Sequence, residues 1–296
     1  MKDSRILAFF PKEVFLMKLL CTFLACTLAL VQSASAQTRA IEQIKGDLYK
    51  FQNNAHYSVF LVTDEGILVT DPIDKDAATW LKAELKKRFN NKPIKYLVYS
   101  HDHRDHISGG EVFEEETIVV AHQRTKEKII GEKRPTAVPD VTFTDRMTIE
   151  LGGKTVNLLY VGRNHSDNSI VMHFPAERAI FAVDFISIDR LPYQTLGDAY
   201  VPEWIASLKT LEALDIDIVQ PGHGKTGTRA DVTEHREYVE ALYEGVLTAS
   251  REGKTLDEMK QSITLKKYTH FDNYDTWRIP NIEGMYRHVK EYRVGN

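Results

Sequence analysis

Six consecutive residues, His101-Asp102-His103-Arg104-Asp105-His106, carry three imidazoles and two carboxylates, and the glycine pair Gly109-Gly110 follows. Crowding such groups costs solvation and sets like charges against one another unless a positive charge sits among them, and a divalent cation is the usual one. One cation site needs only three or four ligands, so His101, His103, Asp105 and His106 within six positions point to two ions. On a short extended loop the alternate residues His101 and His103 converge on one point, whereas Asp105 and His106 turn toward a neighbouring point.

Three other short stretches could complete the pair. "VGRNHSDNS" offers His165, "AIFAVDFI" offers Asp184 at the end of an apolar run, and "VQPGHGKTG" offers His223 between two glycines. Taken singly, each has a blander reading: a lone histidine is usually a surface or core residue, and an aspartate after an apolar run is usually a turn or cap residue. His56, His122, His173, His235, His270 and His288 fall outside the pattern and are read as structural or surface residues, with His122 a candidate to orient a ligand from behind.

Elements with alternating or continuous apolar pattern must place these loops. Strands are expected at 48–52, 57–63 and 66–71, with "DEG" at 64–66 as a turn, so the opening is a β-meander. The spacing of Ala78, Leu81, Leu85 and Phe89 predicts a helix over 75–89, and "PIKYLVYS" reads as a buried strand running into the histidine cluster. A second half follows, with strands near 117–121, 147–151, 154–160, 169–174 and 179–183 and helices near 202–214 and 230–251. Strands, a helix, then the same again suggest two sheets packed face to face with helices outside. No linker or repeat divides residues 37–296, which are expected to form one domain.

The N-terminus differs. From Met17, which offers a second start, a lysine precedes an apolar run from Leu19 to Val31 and then Ala34-Ser35-Ala36. That order is the signature of a secretory signal cut after Ala36, and the run is shorter than the roughly 20 residues that span a bilayer. Both cysteines, Cys21 and Cys26, lie inside this segment, so export to a periplasm-like compartment or beyond would leave a chain with no disulfide and no lasting membrane attachment. Removing the signal's charge of +2 from the formal −4 leaves −6. A net acidic surface without a basic block argues against nucleic acid and for a small-molecule substrate.

The order His-x-His-x-Asp-His, a lone histidine, an aspartate after an apolar strand and a Gly-His-Gly loop resembles the metallo-β-lactamase superfamily over about 48–223. The resemblance implies an α/β fold, a four-layer αβ/βα sandwich with metals at one edge. It implies His101, His103 and His165 on one zinc, Asp105, His106 and His223 on another, and Asp184 bridging. Asp71 matches the family's early strand-end aspartate, which orients the metal loop by hydrogen bonds. Iron or manganese would accept the same donors.

Two such ions sharing a water lower its pKa from about 15.7 toward 7 and supply hydroxide at neutral pH. Asp105 is the residue expected to orient it and move its proton. "HSDNSIVMHFP" resembles the corresponding stretch of true zinc β-lactamases, but those enzymes place a cysteine at Asp184 and usually a lysine at Ser187. The aspartate bridge is instead similar to glyoxalase-II-like and lactonase-like members. The expected reaction is cleavage of an acyl bond in an ester, lactone, thioester or β-lactam. A mononuclear iron enzyme similar to persulfide dioxygenases is the alternative. Tyr193, Asn53, Asn54, His56 and Tyr57 lie on loops that could rim the pocket.

Overall fold

Side chains alternate faces along a strand, and in this protein that alternation sorts the apolar residues into three separate clusters. The computed structural model describes residues 38–115 and 117–293; the expected signal segment, residues 1–36, lies outside them. Val59 and Leu61 enter the central cluster while Phe60 between them faces the opposite way, and Leu68 and Val69, Val98 and Leu97, and Val120 and Val119 divide in the same manner.

These strands belong to a seven-stranded sheet in the order β1 (Arg39–Lys45), β2 (Leu48–Asn53), β3 (His56–Val62), β4 (Ile67–Thr70), β5 (Ile94–Val98), β6 (Ile118–His122) and β7 (Val141–Phe143). Pairing is antiparallel through β4 and parallel from β4 to β7. The second sheet contains β8 (Arg146–Leu151), β9 (Lys154–Tyr160), β10 (Ile170–Phe174), β11 (Ala179–Phe181) and β12 (Ile218–Gln220), in the order β12-β11-β10-β9-β8. Its inner face gives Val156, Leu158, Ile170, Met172, Phe174 and Phe181 to the central cluster.

Helices cover both outer faces. The helix α1 (Lys75–Arg88) lays Ala77, Ala78, Leu81 and Leu85 on the first sheet, and Asp74 caps it by accepting from Ala77 N at 2.7 Å. The short α2 (Arg104–Ile107) and α3 (Gln123–Gly131) follow β5 and β6. The second sheet is covered by α4 (Val201–Glu212), α5 (Arg229–Arg251), α6 (Leu256–Ser262) and α7 (Tyr274–Arg293), through Trp204, Leu208, Leu242, Val246, Met259, Ile282 and Met285. Helix, sheet, sheet, helix is the four-layer order expected. None of the described helices is long and apolar enough to cross a membrane.

The strands and helices expected from the sequence stand within two residues of the observed ones. The strand expected over 179–183 stops at Phe181, because the chain turns into Asp184, which sits at φ +57°. The edge strands β1 and β7 were not anticipated: β1 has no buried residue and β7 only Phe143, so neither carries a clear period-two signal. The aromatic tail packs inward, with Tyr268 and Phe271 at ring distances of 5.1 and 6.1 Å from Tyr238.

His235 on α5 is fully buried beside Trp204. Burial, reinforced by the charge of Arg190, pushes its pKa down to about 3, whereas an unfolded histidine titrates near 6.5. As pH falls the unfolded chain takes the proton first, so this contribution to stability is complete above about 6.5 and is lost progressively toward about 3. Melting temperature measured by circular dichroism should therefore drop between pH 7 and 4, with a shallower drop in the His235→Leu variant; identical slopes would contradict it.

Candidate metal centre

The sequence places its donors after strands, and the register of the two sheets turns all those strand ends to one edge. Asp71 follows β4, and β5 leads through Tyr99 and Ser100 into His101; His165 lies between β9 and β10; Asp184 follows β11 and His223 follows β12. Ile170 N donates to Ser100 O at 2.9 Å, locking the His165 side of the second sheet against the histidine loop of the first. The seven expected residues thereby meet.

They meet as two groups that share one member. His101, His103, His165 and Asp184 offer donor atoms within 4.8 Å of one another, and so do Asp105, His106, His223 and Asp184. Asp184 Oδ2 lies 3.6 Å from Nε2 of both His101 and His165 and 3.1 Å from His106 Nε2, while its Oδ1 lies 3.4 Å from His223 Nε2. Glycine at 222 makes this approach possible: a Cβ there would stand 2.8 Å from His106 Cε1 and 2.9 Å from Asp184 Oδ1.

Neighbours behind the donor residues decide which nitrogen faces inward. Ser100 donates its hydroxyl to the fully buried Asp71 at 2.6 Å, so its lone pair receives the Nδ1 proton of His101 at 2.9 Å and leaves His101 Nε2 for the centre. Asp71 Oδ2 also faces His106 Nδ1 at 3.4 Å. His223 Nδ1 points to the carbonyl of Ala55 at 3.2 Å and His103 Nε2 to Asp198 at 3.2 Å, which frees His223 Nε2 and His103 Nδ1.

This arrangement fits cations. His101 Nε2 and Asp184 Oδ1 are buried without a hydrogen-bond partner, a costly state in a protein interior unless a positive charge is bound there. His103 Nδ1 and His165 Nε2 lie 3.1 Å apart. Burial, together with His101, lowers the pKa of His103 to about 4, and burial with the neighbouring histidines lowers that of His165 to about 3, so both are neutral and ligand-competent at pH 7. Burial works against the charge of Asp184, but His106 and its other imidazole neighbours hold its carboxyl well below the usual range. Burial likewise opposes Asp105, and the imidazoles of His223 and His56 beside it overcome that cost, holding its carboxyl well below the usual range.

The model for the family described as the metallo-beta-lactamase superfamily matches residues 54–223. The chain belongs to that superfamily. The alpha subunit of 2,4-dinitroanisole O-demethylase from Nocardioides sp. is 25% identical over 233 residues, which cover 77% of this chain and 70% of that protein. A type 2 metallo-beta-lactamase from Elizabethkingia meningoseptica is 26% identical over 196 residues, 62% of this chain and 78% of that one. The solved structure of a metallo-beta-lactamase from Pontibacter korlensis aligns with a TM-score of 0.61 at 21% identity, over 69% of this chain and 99% of that chain. The protein is thus a metal-dependent enzyme of the metallo-beta-lactamase superfamily, with its fold.

Around this superfamily site several residues stand differently from the sequence reading. His56 belongs to the cluster: its Nε2 lies 3.3 Å from Asp105 Oδ2. His122 does not; its Nδ1 caps α3 by accepting from Arg124 N, and its Nε2 faces Thr144 O at 3.0 Å. Asp102 points away from the metal donors, bound by Asn168 Nδ2 and Arg134, both at 2.8 Å, and so ties the histidine loop to the "HSDNS" loop. Asn53 bonds Asp74 at 3.0 Å, bracing the start of α1. Tyr193 is 65% exposed and meets Trp277 edge-on at 5.3 Å.

A cavity of about 470 Å³ opens beside His103, walled by Lys128, Arg163, Asp167, Asp198 and Tyr200. The segment 192–200, of which Gly197 to Tyr200 line the cavity, is held by α7, whose His288 and Glu291 line it too: Asn281 Nδ2 donates to Pro192 O at 3.0 Å and His288 Nε2 to Leu196 O at 2.7 Å. Neither Asp198 nor this clamp carried a signal in the sequence.

In Gly222→Ala the added methyl meets side chains rather than backbone, Val183 at 2.5 Å as well as His106 and Asp184, so the variant should fold with a lowered melting temperature and bind zinc about ten- to a hundredfold more weakly. Competition against a chromophoric chelator measures this, and unchanged affinity would show that Gly222 imposes no such limit.

Proposed function

We propose that the protein is an exported hydrolase holding two zinc ions, which cleaves an acyl bond in a small molecule: an ester, lactone, thioester or β-lactam amide. The observation that carries this reading is the single carboxylate, Asp184, common to two donor groups. In it His101, His103 and His165 hold one ion, Asp105, His106 and His223 the other, and Asp184 lies between. An imidazole-and-carboxylate set without thiolate suits zinc, and the chain beyond Ala36 contains no cysteine. Such a pair of ions polarises the scissile group and lowers the pKa of a shared water.

The remaining chemistry falls to side chains. Asp105, ionised and half-exposed at the mouth, accepts a hydrogen bond from the attacking water and orients it. Asp71 and Ser100 hold His101 in one tautomer, so the constellation is set before substrate arrives. The cavity lies in the usual range for small ligands, and its two cations are engaged: Lys128 with Asp167 at 2.9 Å and Arg163 with Glu203 at 2.6 Å. Ser187, at the position where β-lactamases usually carry a substrate-anchoring lysine, is buried. Both features support a substrate recognised by its acyl group rather than by a free carboxylate. Export to the periplasm or beyond is supported by the charged, apolar and Ala34-Ser35-Ala36 order of the first 36 residues.

Metal content and a substrate screen test the proposal together. Protein purified without added metal should carry about two zinc ions per chain; one iron per chain would overturn the hydrolase reading in favour of oxygen chemistry. The zinc-loaded enzyme should turn over at least one of a panel of lactones, thioesters and a chromogenic β-lactam, whereas turnover confined to a phosphoester, or to an aryl methyl ether included because of the demethylase relative, would overturn the acyl-bond reading. His103→Ala should lose at least about 100-fold in kcat/KM, the scale of losing a group that organises the reacting centre; equal turnover would remove the mechanism.

A further inference from the structure

His56 opens β3 at the turn from β2, and that turn is fastened to the loop of His223. Tyr57 N donates to Gly222 O at 2.8 Å, His223 Nδ1 meets Ala55 O at 3.2 Å, and His56 and His223 form an antiparallel bridge pair. The two rings stand edge to face at 4.5 Å. The backbone of His56 is therefore fixed to the His223 loop, and its imidazole rests edge to face on that of His223 beside the Asp105 half of the centre.

Asp105 needs such a neighbour. It sits on the four-residue α2 with half of its side chain exposed. Three imidazoles surround its Oδ2: His56 at 3.3 Å, His223 at 3.5 Å and His106 at 3.7 Å. His106 is beyond hydrogen-bond reach, and His223 directs its Nδ1 proton to Ala55 O, which leaves a lone pair on the nitrogen facing Asp105. A carboxylate can only accept. His56 Nε2–H is thus the donor placed to fix this oxygen.

We infer that His56 is a positioning residue: it orients the Asp105 carboxylate between His106 and His223, and so makes retention of the second cation depend on the β2–β3 turn. The inference rests on the two-ion reading. Removing the donor releases Asp105 to swing toward solvent, which weakens the Asp105, His106 and His223 group while the His101, His103 and His165 group keeps its geometry. A residue that braces a metal-binding carboxylate typically changes affinity about ten- to a hundredfold when lost.

Calorimetric zinc titration of chelator-stripped wild type, His56→Phe and His56→Gln decides the matter, with thermal unfolding of each metal-free protein as the folding control. Wild type should bind two equivalents. His56→Phe should bind the first as wild type does and the second about tenfold or more weakly, and His56→Gln, which keeps an N–H donor, should recover most of that loss. Two equivalents bound by His56→Phe within twofold of wild type would overturn the inference and leave the two-ion reading standing. Equal weakening of both equivalents, or the same loss in His56→Gln, would also overturn it, showing a structural role. One equivalent in wild type would overturn the two-ion reading and this inference with it.

Discussion

Everything at this edge of the molecule depends on a buried carboxylate placed among imidazoles. Asp184 has its side chain 9% exposed, sits in a left-handed backbone conformation, and is faced by His101, His106, His165 and His223. An isolated carboxylate there would be forced to neutralise, because desolvation penalises its charge heavily. Instead the surrounding nitrogens favour the charged form, and the same geometry that stabilises the anion presents converging lone pairs to cations. Stability and chemistry are therefore linked at one residue, and the strained φ of Asp184 is the conformation in which both are met.

The scaffold serves that residue by making two sheets end at a common edge. No single sheet could supply the set: His101, His103, Asp105 and His106 come from the first, and His165, Asp184 and His223 from the second. The Phe174, Phe181 and Val120 layer holds the sheets at a fixed spacing, and the Ile170–Ser100 bond and the Asp102–Asn168 pair set their relative register at the rim. The positions of the donors thus follow from packing far from them.

How much of this could be read beforehand varied with how local the signal was. The histidine loop announces itself within six residues, and Asp184 and His223 stand at the ends of apolar runs, so their types and strand-end positions were legible together. Asp71 was legible through the family resemblance, and its contact with Ser100 supplies the physical reason. His56 was legible only as a residue that could rim the pocket; its contact was not, since its partner Asp105 is 49 residues away. Asp198 was hidden for the same reason, lying 95 residues from His103 in a segment without repeating pattern. β1 and β7, half-covered edge strands, give too few buried side chains to show alternation, and the polar α3 buries only Thr125 and Ile129.

The clamp of α7 on the segment over 192–200 separates two kinds of evolutionary change. Cation-facing donors are anchored in strand ends, whereas the cavity wall beside them hangs from Asn281, Arg287 and His288 on a terminal helix. Drift in that helix would reshape what the cavity admits without disturbing the catalytic core. Descendants of this chain could therefore acquire new appetites through their last turns while inheriting the reaction unchanged.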